Sequence, residues 1–258
     1  MRKEVIVCMF LLSCVGAGVR EPVMDVQRNQ ADSAAQKMAL HRAVTMGRLG
    51  KAKALLATGM DVDAADRVRR TPLMIASAKG DLETVAELLH RNADVNRTQV
   101  DGGTALILAA GSGSDDVCLT LLHAGANVNA QTRDGFSSLM MAAMAGNESA
   151  VLVLLEAGAK VNAVCNEGYT ALMIAAMEEN LEMVTLLIEF GADVNLHTQS
   201  GRTPLMMAAG RGYEKVVRVL YEHGADVQAR TSAGETARDM AAAAGYDEVV
   251  QILGENSP

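Results

Sequence analysis

Histidine and cysteine are the side chains of this sequence that could ligate a metal ion or act as nucleophiles. The five histidines are scattered along the 258-residue chain, and none has a second ligand at helical spacing. They are His41, His90, His123, His197 and His223. The sequence contains no Cys-x-x-Cys pair and no glycine-rich phosphate loop. We therefore predict no catalytic, cofactor or metal site, and a protein that is not an enzyme.

Methionine is abundant, with sixteen residues against three Phe, four Tyr and no Trp. Met74, Met140, Met173 and Met206 occupy equivalent positions and could act as a metal or oxidant sink. Successive positions of this column are one full repeat apart, which is too sparse to chelate one ion. We interpret these methionines as packing side chains.

A 33-residue period organises the chain, and seven copies align without a gap. Within one copy, Thr71 is a suitable N-cap, Pro72 suits the first turn of a helix, and Gly80 suits a left-handed helix end. Apolar spacing predicts a first helix near 72–79 and a second near 82–90. One column is alanine in every copy, which lets neighbouring helices approach closely: Ala43, Ala76, Ala109, Ala142, Ala175, Ala208 and Ala241.

Residues 203–209 (TPLMMAA) and 191–195 (GADVN) resemble the ankyrin repeat, and the resemblance extends over residues 36–254. It implies an all-α solenoid of about seven helix-turn-helix repeats with short β-hairpin fingers. One helix pair cannot bury its own apolar face, so the copies must stack. The resemblance also implies a concave face, lined by fingers and first helices, that binds a protein. The repeats are predicted near 38–65, 66–98, 99–131, 132–164, 165–197, 198–230 and 231–254.

Three positions depart from the repeat pattern. Arg69 stands where later fingers have glycine, and we expect a reshaped first finger because a side chain is strained at positive φ. Glu179 replaces the glycine between two helices, and Asn180 is expected to adopt the left-handed turn instead. Cys118 falls in a column of valines, so we expect it to be a small buried side chain.

The segment 1–17 has the form of a bacterial export leader, with Arg2 and Lys3 before an uncharged stretch. Two routes stay open, namely cleavage after Ala17 or lipidation of Cys14. We expect a periplasmic or secreted protein, with a linker at 18–35 and a tail at 255–258. The alternative is a buried or frayed N-terminal helix in a cytoplasmic protein.

The charge balance limits the kinds of partner. The net charge is -8, and it becomes -9 once two basic residues and one acidic residue leave with the segment 1–17. Negative charge disfavours nucleic acid and anionic lipid. We therefore expect protein partners, and contact with a membrane only through a lipid anchor. We also expect a monomer.

The residues that the repeat does not dictate are the candidates for partner contact. Phe136 and Tyr169 lie one period apart, hence on adjacent fingers, and Met144 and Met177 are neighbours in the same way. Aromatic and methionine side chains suit a central anchor. Basic candidates that would suit an acidic segment are Arg67, Arg70, Lys79, Arg133, Arg202 and Arg211. The alternative is that these are solvated finger residues packing on each other.

These observations predict a protein-interaction scaffold. A secreted effector or inhibitor of a host or enzyme target is the alternative. Fold does not determine function, so the sequence leaves the partner open.

Overall fold

The computed structural model of the protein describes residues 38–254. The predicted leader, Cys14, the linker and the tail lie outside the described residues. Within the described range the chain is a stack of short helix pairs joined by finger-like hairpins, which confirms the predicted all-α solenoid. No helix in this range is long and apolar enough to cross a membrane.

Each repeat contributes a first and a second helix. Helix α1 occupies residues 38–45. The other helices are α2 (Leu49–Ala57), α3 (Pro72–Ala78), α4 (Leu82–His90), α5 (Ala105–Gly111), α6 (Asp115–His123), α7 (Ser138–Met144), α8 (Glu148–Glu156), α9 (Ala171–Met177), α10 (Leu181–Glu189), α11 (Pro204–Ala209), α12 (Glu214–Glu222), α13 (Ala237–Ala244) and α14 (Asp247–Gly254).

The first helices begin at hydroxyl caps, as the sequence predicts. The Thr71 side chain accepts a hydrogen bond from the Met74 backbone N–H at 3.3 Å, and equivalent caps start α5, α7, α9, α11 and α13. Pro72 and Pro204 occupy the first turn of their helices, where a missing N–H leaves no bond unmade.

Stacking of equivalent helices builds one continuous core. Each first helix from α3 onward packs on the first helix of the next repeat, and the second helices pack in the same order. The alanine column is buried throughout and forms the close contacts. Such short helices are marginal alone, so inter-repeat burial stabilises them. Met74, Met140, Met173 and Met206 are fully buried, in agreement with a packing role.

The fingers are tight hairpins rather than extended strands. In the fifth repeat the Cys165 N–H donates to the Tyr169 carbonyl at 3.0 Å, and the Gly168 N–H donates to the Cys165 carbonyl at 2.9 Å. The described residues contain no named strand and a single isolated bridge between Gln131 and Ser137. Each finger is therefore held by one pair of backbone bonds and by its neighbours.

Both predictions about replaced glycines are wrong. Arg69 adopts the left-handed conformation itself, with φ 64°, and its finger keeps the same two backbone bonds as the others. Asp66 stabilises this turn, because its carboxylate accepts bonds from the Val68 and Arg70 N–H groups. Glu179 likewise adopts φ 58°, whereas Asn180 has φ -81° and caps α10. The hydrogen bonds of the repeat thus impose the backbone even where the side chain is unfavourable.

Candidate partner-binding surface

Phe136 and Tyr169 lie at equivalent positions, each directly before the cap of a first helix. Both side chains are half-buried and pack against the core. The hairpin holds Phe136 through two bonds to Thr132, since the Phe136 N–H donates to Thr132 Oγ1 at 3.0 Å and its carbonyl accepts from the Thr132 N–H at 2.9 Å. The hairpins therefore fix the backbone positions of both aromatic residues.

Met144 and Met177 lie at the last residues of α7 and α9. Met144 is 55% exposed, and Met177 is half-buried. Met177 lines a shallow depression with residues of the sixth repeat, whereas Met144 does not line it. The structure thus separates two methionines that the sequence treats as equivalent.

Four of the predicted residues meet in that depression, which we call the Tyr169 depression. Tyr169 and Met177 contribute from the fifth repeat, and Arg202 and Arg211 contribute from the sixth. The volume is about 140 Å³. The complete lining is Tyr169, Met177, Arg202, Met206, Met207, Gly210, Arg211 and Met240. Phe136 and Met144 lie one repeat earlier and do not line it.

Sequence reasoning missed Met207 and Met240. They belong to an apolar column that follows each N-cap at the same distance: Ile75, Leu108, Met141, Ile174, Met207 and Met240. An apolar column in a repeat indicates core, and Met207 is indeed buried, whereas Met240 stays half-exposed like Ile75, Leu108 and Met141. The Met240 methyl also lies close to Gly210, where an added Cβ would be 3.3 Å away. Small residues beside this apolar column, such as Gly111 and Gly210, were the available signal.

The predicted basic flank at the second repeat is partly engaged within the chain. The Arg70 guanidinium pairs with the Asp66 carboxylate at 2.9 Å, and the Lys79 ammonium donates to the Thr45 carbonyl at 2.6 Å. Burial raises the pKa of Asp66, but the bonds from Arg70 and Val68 outweigh it and hold that pKa below its ordinary value. Arg67 is exposed at the finger tip.

The remaining basic candidates are more available. Arg133, Arg202 and Arg211 are exposed, and none has a carboxylate within 4.0 Å among residues 38–254. Unpaired arginines beside an apolar depression are suited to bidentate pairing with a partner's carboxylate. The candidate surface with unpaired arginines therefore lies at the fifth and sixth repeats, where Arg202 and Arg211 border the Tyr169 depression.

The described cysteines are both buried. Burial raises the pKa of the Cys118 thiol to about 12, and the nearby Asp115 carboxylate adds to the effect. Cys118 therefore stays a neutral packing group, as its place in the valine column predicts. Gly135 of the preceding finger lies close against the Cys165 backbone.

This fold and surface define a helical-repeat solenoid, a class built to present a long binding face. The family model described as ankyrin repeats (3 copies) matches residues 6–99, 40–132, 106–198, 139–231 and 172–257. The chain belongs to the ankyrin repeat family. It is similar to the crystal structure of the human ASB11 ankyrin repeat domain, with a TM-score of 0.77 and 29% identity over 85% of this chain and 98% of that one. No curated protein matches the chain. Ankyrin repeats of this kind form protein–protein interaction scaffolds.

Proposed function

We propose that the chain holds a protein partner on its concave face and that the Tyr169 depression is the anchor point. The observation that carries this proposal is the combination of an apolar floor with two unpaired arginines at its rim. An apolar side chain of the partner would enter the depression. A carboxylate on the same segment would pair with Arg202 or Arg211.

The chemistry of the lining supports an adaptable site. The half-buried Met177 and Met240 can change rotamer to fit different apolar side chains, while Tyr169 offers a rigid ring. A charge-assisted bond to an arginine contributes about 1.5–3 kcal/mol when water is excluded. Phe136 and the exposed Met144 extend the apolar surface by one repeat. The expected partner segment is therefore acidic and apolar, and extended over two repeats.

Peptide display on the purified full chain tests this proposal. Enriched peptides should combine an apolar residue with acidic residues, and their affinities can be measured by fluorescence anisotropy. The Arg202→Gln/Arg211→Gln variant should weaken binding by about tenfold or more. Arg218→Gln is the matched control, because Arg218 is an exposed arginine on the second helix of the same repeat.

A second variant separates apolar from ionic recognition. The Phe136→Ala/Tyr169→Ala protein should also lose affinity while its circular dichroism stays unchanged. Peptides that bind all variants equally, or a selection that yields no acidic and apolar sequence, would remove the anchor from the concave face.

We further propose that the protein is exported. The support is the basic start and uncharged stretch of the segment 1–17. Intact mass of protein purified from its own cells distinguishes the routes. A mass lacking the segment 1–17 indicates cleavage, and a lipid-modified Cys14 at the new N-terminus indicates anchoring. A full-length mass in the cytoplasmic fraction would overturn the proposal.

A further inference from the structure

The outer faces of the second helices carry large apolar side chains in the middle of the stack. Leu119 in α6 is 42% exposed, and Leu152 in α8 is 37% exposed. They occupy equivalent positions, where α4 has Ala86 and α12 has Arg218. Stacking therefore does not require leucine at this place. A second helix that is apolar on its solvent side is typical of a helix that something else covers.

An open groove lies between α8 and α10 on this side, and we call it the outer groove. Leu152, Leu181 and Leu186 supply its apolar surface. Glu148, Glu182 and Glu189 supply its carboxylates, and its volume is about 520 Å³. Ser149 and Thr185 complete the lining. The groove thus combines an apolar floor with acidic edges.

Charge along these helices has one sign. Helices α6, α8 and α10 contain six carboxylates and no lysine or arginine: Asp115, Asp116, Glu148, Glu156, Glu182 and Glu189. None of the six has an ion-pair partner within 4.0 Å in the described part of the chain. In contrast, α12 carries Lys215 and Arg218 on its outer side. Basic residues of the same helices therefore do not balance the acidic residues of α6, α8 and α10.

We infer that the outer groove docks a basic amphipathic helix of a protein partner, and that it does so independently of the concave face. An apolar stripe at helical spacing would cover the three leucines, and flanking lysines or arginines would pair with the glutamates. A nine-residue helix such as α8 is about 13 Å long, so two to three turns of the partner would fit along it. The same charge repels an anionic membrane surface, which favours a protein occupant.

A model peptide tests the inference with the full chain. The probe is a synthetic amphipathic peptide of about 18 residues with leucine and lysine at helical spacing, long enough to span the groove. One comparison peptide replaces leucine by serine, and another replaces lysine by glutamate. Fluorescence anisotropy should show binding of the leucine–lysine peptide alone.

Two chain variants locate the binding. Leu152→Arg copies the residue that α12 carries at this position, so folding should be preserved, and affinity should fall by about tenfold or more. Ala86→Arg, at the equivalent exposed position of α4, is the matched control and should leave affinity unchanged. The Glu148→Gln/Glu182→Gln/Glu189→Gln variant tests the carboxylates without introducing a large side chain.

Four results would overturn the inference. Equal binding of the serine–lysine peptide would show bulk charge attraction to an acidic protein. Unchanged affinity in both the Leu152→Arg protein and the glutamine variant would place the peptide elsewhere. Sedimentation with phosphatidylserine vesicles that is lost in Leu152→Arg would make this face a lipid surface. Loss of peptide binding in Phe136→Ala/Tyr169→Ala would return the contact to the concave face.

Discussion

Substitution of Gly135 by alanine tests how closely neighbouring fingers approach. Gly135 has φ 83°, and an added Cβ would lie 2.8 Å from the Cys165 Cα and 2.9 Å from the Asn166 nitrogen. Gly158 has nearly the same φ, 85°, but an added Cβ would meet nothing within 4 Å. The pair therefore separates the effect of a strained backbone from the effect of finger contact.

The expected loss of stability follows from these contacts. Alanine at positive φ costs about 1–2 kcal/mol at either position. At Gly135 the next finger must also move, which strains the bonds from the Asn166 N–H to the Asp134 carbonyl and from Asn166 Nδ2 to the Arg133 carbonyl, both 2.9 Å. Each contributes about 0.5–1.5 kcal/mol. We expect Gly135→Ala to be about 1–3 kcal/mol more destabilising than Gly158→Ala.

Urea and thermal unfolding followed by circular dichroism measure the difference. In a domain of this size, each kcal/mol lowers the midpoint by about 2–4 °C. Amide hydrogen exchange at Asn166 should accelerate in Gly135→Ala but not in Gly158→Ala.

The first finger shows how the reasoning could fail. Arg69 occupies the position of Gly135 with φ 64°, and the bond from the Val100 N–H to the Val68 carbonyl is still 3.0 Å. Equal destabilisation by the two alanine variants would mean that fingers adjust freely, and the contact argument would be refuted.

Three further predictions concern single residues. Glu179→Gly should raise the free energy of unfolding by about 0.5–1 kcal/mol, because glycine relieves φ 58°; a lower urea midpoint would show that this backbone is not strained. Asn129→Ala should lower that free energy by about 1–3 kcal/mol. It removes the bond from Nδ2 to the Gly158 carbonyl (3.2 Å) and the bond from the Lys160 N–H to Oδ1 (2.8 Å), and Asn129→Asp should lie between, unless these loop bonds contribute nothing. Burial, with a smaller contribution from its acidic neighbour, raises the pKa of Cys118 to about 12, so the thiol ionises first in the unfolded chain. Stability should therefore fall as pH rises from the ordinary thiol pKa towards 12, and Cys118→Val should unfold in urea with less alkaline dependence. Identical pH profiles of the two proteins would contradict this.

Local hydrogen bonds explain why the helices of each repeat could be predicted from the sequence. Thr71, Pro72 and Gly80 specify the beginning and end of α3 over a short length of chain, and the structure ends the helix just before the expected Lys79. The same cap and helix-end residues recur at equivalent positions in most of the seven copies. The positions of the helices and the burial of the alanine column could therefore be predicted from the sequence.

The candidate surface was only partly predictable. Tyr169, Met177, Arg202 and Arg211 were identified because they depart from the repeat, and the structure brings them into one depression. Met207 was missed, because an apolar residue in a repeated register position indicates core whether or not it borders solvent. Arg70 was predicted to suit an acidic segment of a partner, but the Asp66 carboxylate of its own finger pairs with it.

By itself, the sequence determined the period, the helix pairs, the caps and the requirement that repeats stack, because these depend on contacts within a single repeat and on a register that every copy shares. Only the tertiary structure decided the backbone of Arg69 and Glu179, the pairing of Arg70, the Tyr169 depression with its two arginines, and the acidic outer groove. The Arg69 turn and the Arg70 pairing depend on the Asp66 carboxylate of the same finger. The Tyr169 depression and the outer groove depend on how adjacent repeats are spaced and which side chains face each other across the gap. A periodic pattern carries no information about that spacing, since it describes each copy but not the distance between them.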